Sequence, residues 1–120
     1  MAHTILVVDY EPRTIARVTE ALAPLSCQII TAKDVDAAVG ACARVEPRVV
    51  LITSVLPKVK VEDAITQVRA RAGLRNTPFL VLMSGYSGGD TKVDAMLLGA
   101  QDIVAKPFSS DELLARVQAA

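Results

Sequence analysis

Short continuous runs of apolar residues alternate along the chain with longer stretches that have helical spacing. The short runs predict strands buried on both faces, at residues 5–8, 28–31, 49–52, 79–83 and 102–105. The longer stretches repeat apolar residues three and four positions apart, which is typical of amphipathic helices, at residues 15–22, 35–42, 65–72, 93–100 and 113–117. Five strands alternating with five helices predict an α/β fold, a doubly wound parallel sheet with helices on both faces.

Residues with known positional preferences support these boundaries. We expect Asp34 and Asp90 to be N-caps, because a short acceptor side chain can satisfy the free N–H groups of a helix start. Ser109 with Glu112 three residues later predicts a capping box ahead of the last helix. Gly99 suits the left-handed position that follows a helix.

Length and charge restrict the kind of protein. The chain has 120 residues, which fits one domain over residues 1–120. It has 13 basic and 13 acidic residues, so direct binding to nucleic acid or to an anionic membrane is not expected. The two cysteines are too few for a disulfide framework, and we find no signal peptide or membrane span in the sequence. We therefore expect a cytoplasmic domain, and because no C-cap follows the last helix we expect it to be the first domain of a longer protein.

Polar residues follow several of the predicted strands. Asp9, Thr53, Ser84 and Lys106 all lie at or just beyond the carboxyl ends of strands, where parallel α/β sheets place their working sites. Asp9 with Glu11 could supply half of a hard-cation site, since magnesium commonly takes one or two carboxylates plus waters. A carboxylate, a hydroxyl and a lysine around one pocket would also suit a phosphate and its metal.

The chain resembles the receiver domains of bacterial two-component response regulators over essentially its whole length. The resemblance is carried, in order, by residues 5–12, 47–57, 84–86, 98–102 and 106–108. It implies a flavodoxin-like five-stranded sheet in the order 2-1-3-4-5 with five helices. It also implies a pocket in which a magnesium ion helps an aspartate take a phosphoryl group from a histidine kinase. Such domains are signalling modules, and we do not expect an enzyme.

Several positions depart from what the resemblance implies. Tyr10 stands where the family usually has a second acid after the first strand, and Thr53 stands at the position of the phosphoacceptor aspartate. Ile103 stands where the family usually has an aromatic switch residue. The segment from Pro78 to Ser84 is one residue longer than in most members of the family, which predicts a bulge or a shifted strand start. Asp9 in the acidic pocket, and Ser84 and Lys106 as phosphate-contact positions, are retained. A pseudo-receiver is therefore predicted, with the scaffold kept and the phosphorylation chemistry lost.

The chemistry of these departures supports that interpretation. A threonine hydroxyl is a weak nucleophile unless a base activates it, and no histidine lies nearby in the sequence. Asp9 and Glu11 alone would form at best a weak magnesium site, so we predict no cofactor, no metal and no catalytic residue. We also predict a direct pair between Asp9 and Lys106, because a partly buried ammonium needs a counter-ion. Tyr10 is predicted to cover the space of the lost metal.

Three hypotheses about function remain open. In the first, the domain acts through contacts with a signalling protein or a C-terminal output domain, without phosphorylation. The family resemblance places that contact on the fourth helix, the fifth strand and the fifth helix. In the second, the domain is still phosphorylated through atypical site chemistry, for instance at another carboxylate. In the third, the emptied pocket near Lys106 senses a small anion.

Overall fold

The computed structural model describes residues 3–84 and 99–120. Within them the chain forms five strands and four α-helices, and a short 3-10 helix at Ala23–Leu25 contains Pro24. In chain order these elements are β1 (Thr4–Val8), α1 (Pro12–Leu22), β2 (Gln28–Ala32), α2 (Val35–Cys42), β3 (Val49–Thr53), α3 (Val61–Ala72), β4 (Phe79–Met83), β5 (Ala100–Ala105) and α4 (Ser110–Ala119). In this part of the chain, no helix combines the length and the apolar character needed to cross a membrane.

The sheet has the predicted order, β2-β1-β3-β4-β5, and every neighbouring pair is parallel. This topology places β1 next to β3 at the centre of the sheet. Val8 at the end of β1 pairs with Ile52, and Thr53 pairs with Leu82 of β4. Polar residues that follow β1, β3 and β5 are thereby brought to one edge of the sheet.

Two apolar layers cover the sheet, because successive strand residues point to opposite faces. One face of the central strands packs with α2 and α3, and its buried members include Leu6, Val50, Val81, Ala38 and Ile65. The other face packs with α1 and α4, and its buried members include Val7, Leu51, Leu82, Val18 and Leu113. β1, β3 and β4 are buried at every position, which accounts for their uninterrupted apolar runs. The prediction of burial on both faces was wrong for β2 and β5, because these strands lie at the edges of the sheet and keep exposed residues.

Two of the described helices, α2 and α4, begin at predicted capping residues. The Asp34 carboxylate accepts a hydrogen bond from the backbone N–H of Ala37 at 2.8 Å. The Ser109 hydroxyl accepts one from the backbone N–H of Glu112 at 3.1 Å. Gly99 has φ +97°, the left-handed conformation that favours glycine. The predicted cap at Asp90 and the fourth predicted helix, as far as residue 98, lie outside the described residues.

The start of the last strand differs from the prediction. The apolar pattern predicts a helix that reaches Ala100 and a strand that begins at Asp102, whereas the structure has β5 from Ala100 to Ala105. Phe79 pairs with Ala100 but Leu80 pairs with Asp102, so one extra residue is inserted in β5 at Gln101. The bulge therefore lies in β5, whereas the prediction placed a bulge or a shifted start in the segment from Pro78 to Ser84, which forms β4. The bulge explains the misplaced boundary, because a bulge breaks the regular alternation of a strand.

A single arginine connects the loops at the opposite, amino edge of the sheet. Arg69 near the end of α3 donates to the carbonyl oxygens of Leu74 at 2.8 Å, Thr77 at 3.0 Å and Gly99 at 2.9 Å. Its guanidinium also lies over the ring of Phe79, 4.5 Å from the centroid. Partial burial lowers the pKa of Arg69 from its ordinary value. The turn before β5 is thus fastened to the turn before β4.

Candidate functional site

Three of the predicted site residues meet at the carboxyl edge of the sheet. Asp9 directly follows β1, Thr53 is the last residue of β3, and Lys106 directly follows β5. Asp9 and Thr53 are 2% and 1% exposed, so both polar side chains lie in the interior. Buried polar groups require hydrogen-bond partners, and the lysine is the partner that both of them share.

The ammonium group of Lys106 joins the other two side chains. It donates to Asp9 Oδ2 at 3.0 Å and to Thr53 Oγ1 at 2.9 Å. The Lys106 side chain is 15% exposed, against 1% for the Asp9 side chain, so the ion pair is largely shielded from solvent. The predicted Asp9–Lys106 contact is present, and the hydroxyl of Thr53 is a second acceptor for the same cation.

Both oxygens of the Asp9 carboxylate accept hydrogen bonds. Oδ1 accepts from the backbone N–H groups of Tyr10 at 2.7 Å and Glu11 at 3.0 Å, while Oδ2 accepts from Lys106. The local cause is the turn after β1, which directs two successive N–H groups back onto the side chain. Three donors, one of them charged, replace the water that this carboxylate would have on the surface.

The Thr53 hydroxyl oxygen is an acceptor on two sides. It accepts from Lys106 and, in a longer contact of 3.3 Å, from the backbone N–H of Val55. In the described part of the chain, no histidine or carboxylate is hydrogen-bonded to this hydroxyl. The group therefore lacks the adjacent base that would activate it as a nucleophile.

The remaining predicted residues surround this cluster without joining it. Ser84 is exposed just after β4, and its backbone N–H donates to the Ser54 hydroxyl at 3.0 Å. Ile103 is 7% exposed and belongs to the apolar layer shared with α2 and α3. Tyr10 is 47% exposed. It lines an open groove that also includes Lys58, so its predicted role in covering a metal space stays a prediction.

An open cleft of about 320 Å³ lies between α1 and the turn after β5. Six polar side chains line it, together with Pro107 and Phe108: Glu11, Arg13, Thr14, Arg17, Ser84 and Lys106. Sequence reasoning did not include Arg13 and Arg17 among the site residues. Their spacing of four along a predicted helix that begins beside Asp9 was the signal that could have found them.

The oxygen atoms available as metal ligands at this edge do not fit a magnesium site. Both Asp9 oxygens are occupied by N–H donors and Lys106, and the Glu11 carboxylate accepts from the Thr14 hydroxyl at 2.9 Å. Tyr10 and Thr53 supply no carboxylate to add to these two. Over residues 3–84 and 99–120 no group of three or more His, Cys, Asp or Glu side chains is placed to hold a metal ion. Magnesium needs near-octahedral oxygen coordination, which these engaged groups do not offer.

Comparison with known proteins agrees with the fold. The family model described as "Response regulator receiver domain" matches residues 5–118. The transcriptional regulatory protein KdpE of Mycobacterium tuberculosis is 36% identical over 116 residues, covering 97% of this chain and 50% of that protein. The chain thus spans about half the length of this relative.

Solved structures give the same result. A response regulator from Thermotoga maritima is 27% identical with a TM-score of 0.86, over 99% of this chain and 97% of that one. The receiver domain of a sensor histidine kinase from Pseudomonas aeruginosa is 25% identical with a TM-score of 0.83, over 99% and 97% of the two chains. That domain has a magnesium ion coordinated in its active-site cleft. With the family model covering nearly the whole chain, the protein belongs to the response regulator receiver domain family.

Proposed function

We propose that this receiver domain is a pseudo-receiver, which transmits signals through protein contacts without accepting a phosphoryl group itself. The observation that carries the proposal is the contact of 2.9 Å between Lys106 Nζ and Thr53 Oγ1. A neutral hydroxyl occupies the end of β3, where the family resemblance places the phosphoacceptor carboxylate. The lysine assigned to phosphate contact is instead engaged by Thr53 and Asp9.

The chemistry of the hydroxyl supports this proposal. An acyl phosphate needs a carboxylate nucleophile, which is ionised at neutral pH because aspartate titrates near ~3.9. Thr53 would have to lose its proton as it attacked phosphorus, and its charged neighbour Lys106 donates to it and does not accept a proton. The domain accordingly has no catalytic residue in this proposal, and it is not an enzyme.

The engagement of Asp9 extends the proposal to metal binding. To bind magnesium, Asp9 would have to give up at least one of three donors, among them the Lys106 ammonium. Without a second acid at Tyr10 or a carboxylate at Thr53, nothing compensates for that loss. We therefore expect magnesium affinity to be weak or absent.

The output of the domain is proposed to be a protein contact. KdpE is described as a transcriptional regulatory protein, and this chain matches half of it, so a C-terminal output domain or a signalling protein is the expected partner. We place the contact on β5, α4 and the segment predicted as the fourth helix. Ile103 of β5 is buried, so an aromatic switch at this position is replaced by a side chain fixed in the core.

Incubation with acetyl phosphate and magnesium tests the proposal directly. Intact-protein mass spectrometry should show no added phosphoryl group, and beryllofluoride with magnesium should leave the NMR spectrum unchanged. A stoichiometric adduct released by hydroxylamine would contradict the proposal and would favour the alternative of atypical phosphorylation at another carboxylate.

A restored variant provides the positive control. Thr53→Asp combined with Tyr10→Asp returns both missing carboxylates, so it should gain magnesium-dependent beryllofluoride binding. The matched control places the first carboxylate elsewhere, as Thr66→Asp with Tyr10→Asp, because Thr66 is an exposed threonine on α3. If the restored variant stays as inert as this control, more than the two carboxylates has been lost and the proposal of an intact scaffold is wrong.

A further inference from the structure

We propose that a cavity at the amino edge of the sheet binds a small carboxylate whose apolar body has about six carbon atoms. The cavity has a volume of about 180 Å³ and lies at the opposite edge from Asp9, Thr53 and Lys106. Its apolar walls come from several elements of the fold: Ile5, Leu25, Cys27, Val49 and Val117. The two sites share no residue, so this binding goes beyond the proposed function.

The inner wall of the cavity is part of the apolar layer that packs with α1 and α4. Ile5, Val49 and Val117 belong to that layer and are 3%, 4% and 5% exposed. Leu25 and Cys27 are half-buried and pack against the same layer, where a thiol behaves as a small apolar group. Because these side chains are fixed by core packing, the wall is formed before any ligand binds, as in most small-molecule sites.

The volume of the cavity sets the size of the ligand. Drug-sized ligands occupy pockets of about 300–1,000 Å³, so this cavity suits a smaller molecule. An apolar cavity of about 150 Å³ holds one benzene molecule. A ring or a branched chain of about six carbons would therefore fill the 180 Å³ available here, and it would gain free energy because its apolar surface leaves water.

Arg48 sets the charge of the ligand. Its backbone N–H donates to the Thr4 carbonyl oxygen at 2.7 Å, which fixes the residue beside the start of β1. The side chain is exposed and lines the cavity, and within residues 3–84 and 99–120 it takes part in no ion pair. A guanidinium group can bind a carboxylate by two parallel N–H contacts.

The described lining holds no competing acid for this guanidinium. None of the lining side chains in the described part of the chain is a carboxylate. Glu46, the acid nearest to Arg48 in sequence, lines a neighbouring cleft instead. A ligand carboxylate at Arg48 with its apolar body on the buried wall would satisfy both parts of the cavity.

NMR titration of the whole chain tests the proposal with three small molecules. 4-Methylpentanoate combines the charge with the apolar body, 4-methylpentanamide lacks the charge, and acetate lacks the body. Saturable shifts of the Ile5, Cys27 and Val49 amides are expected with 4-methylpentanoate, and none with acetate. The amide should bind at least about threefold more weakly than the acid, because it cannot pair with the guanidinium.

Alkylation of the cysteines locates the ligand independently. Cys27 lines the cavity, whereas Cys42 packs against the apolar layer on the other face of the sheet. At ~10 times its dissociation constant, 4-methylpentanoate should slow the alkylation of Cys27 by iodoacetamide about tenfold, since only the unoccupied fraction reacts. Peptide mass spectrometry should show an unchanged rate at Cys42, which is the internal control.

One variant and a matched control test the role of the guanidinium. Arg48→Gln should weaken 4-methylpentanoate binding at least about threefold and leave binding of the amide unchanged. Arg44→Gln removes an exposed arginine from the same loop, outside the cavity, and should bind as the wild type does. Absence of saturable shifts with 4-methylpentanoate, or equal affinity for the acid and the amide, would overturn the inference. Shifts of the same amides that depend on protein concentration alone would assign the cavity to a second copy of the chain and would overturn it as well.

Discussion

Replacement of Lys106 by methionine measures how much the ammonium group contributes to the free energy of unfolding through its contacts with Asp9 and Thr53. The substitution keeps much of the aliphatic stem but leaves the Asp9 carboxylate without its charged partner, with only the N–H groups of Tyr10 and Glu11 as donors. Removing one partner of a buried ion pair costs about 3–5 kcal/mol. Because Asp9 keeps two of its three donors and Lys106 is 15% exposed, we expect the lower end, about 3 kcal/mol.

Urea denaturation followed by circular dichroism gives the free energy of unfolding for this comparison. Lys33→Met is the matched control, because Lys33 is exposed beyond β2, and its effect should stay within about 0.5 kcal/mol. The double variant with Asp9→Asn should lose less stability than the sum of the two single variants, since the second substitution removes the charge that the first left unpaired. A Lys106→Met variant as stable as Lys33→Met would refute the idea that this ion pair holds the site together.

Two further predictions concern stability away from the site. Arg69→Met removes the donors to the Leu74, Thr77 and Gly99 carbonyls, so it should lower the free energy of unfolding by about 2–3 kcal/mol in urea denaturation. Arg69→Lys should restore only part of that stability, because lysine lacks the planar guanidinium that reaches several carbonyls at once. A loss below about 0.5 kcal/mol for Arg69→Met would contradict this. Asp34→Ala removes the N-cap of α2 and should cost about 1 kcal/mol in the same assay, whereas Asp34→Asn, which keeps an acceptor, should cost less.

Local patterns predicted the sheet and its polar edge because both depend on residues that are close in sequence. Each strand is a short apolar run, and each site residue directly follows or ends a strand, so topology alone brings Asp9, Thr53 and Lys106 together. The contact between Asp9 and Lys106 could also be predicted, because a buried ammonium at that edge requires a counter-ion.

The features that were missed depend on contacts between distant parts of the chain. Nothing near Arg69 in the sequence indicates that its guanidinium reaches Gly99, thirty residues later in the chain. The β5 boundary was wrong at Ala100 because the bulge at Gln101 interrupts the alternation by which strands are recognised. Likewise, the sequence shows Arg13 and Arg17 only as two polar residues on an amphipathic helix. The fold is what places Lys106 in the same cleft.

The charge balance at the carboxyl edge explains how threonine at position 53 fits the fold. One buried carboxylate, Asp9, faces one ammonium, Lys106, and the third group is a neutral hydroxyl. A carboxylate in place of Thr53 would add a second negative charge beside Asp9, and like charges at close range raise the cost of ionising both. The Thr53→Asp, Tyr10→Asp variant should therefore be less stable than the wild type without magnesium and should recover when magnesium is added, since a ligand that binds only the folded state stabilises it. Thermal unfolding with and without magnesium tests this, and a variant indifferent to the metal would show that charge does not govern this edge.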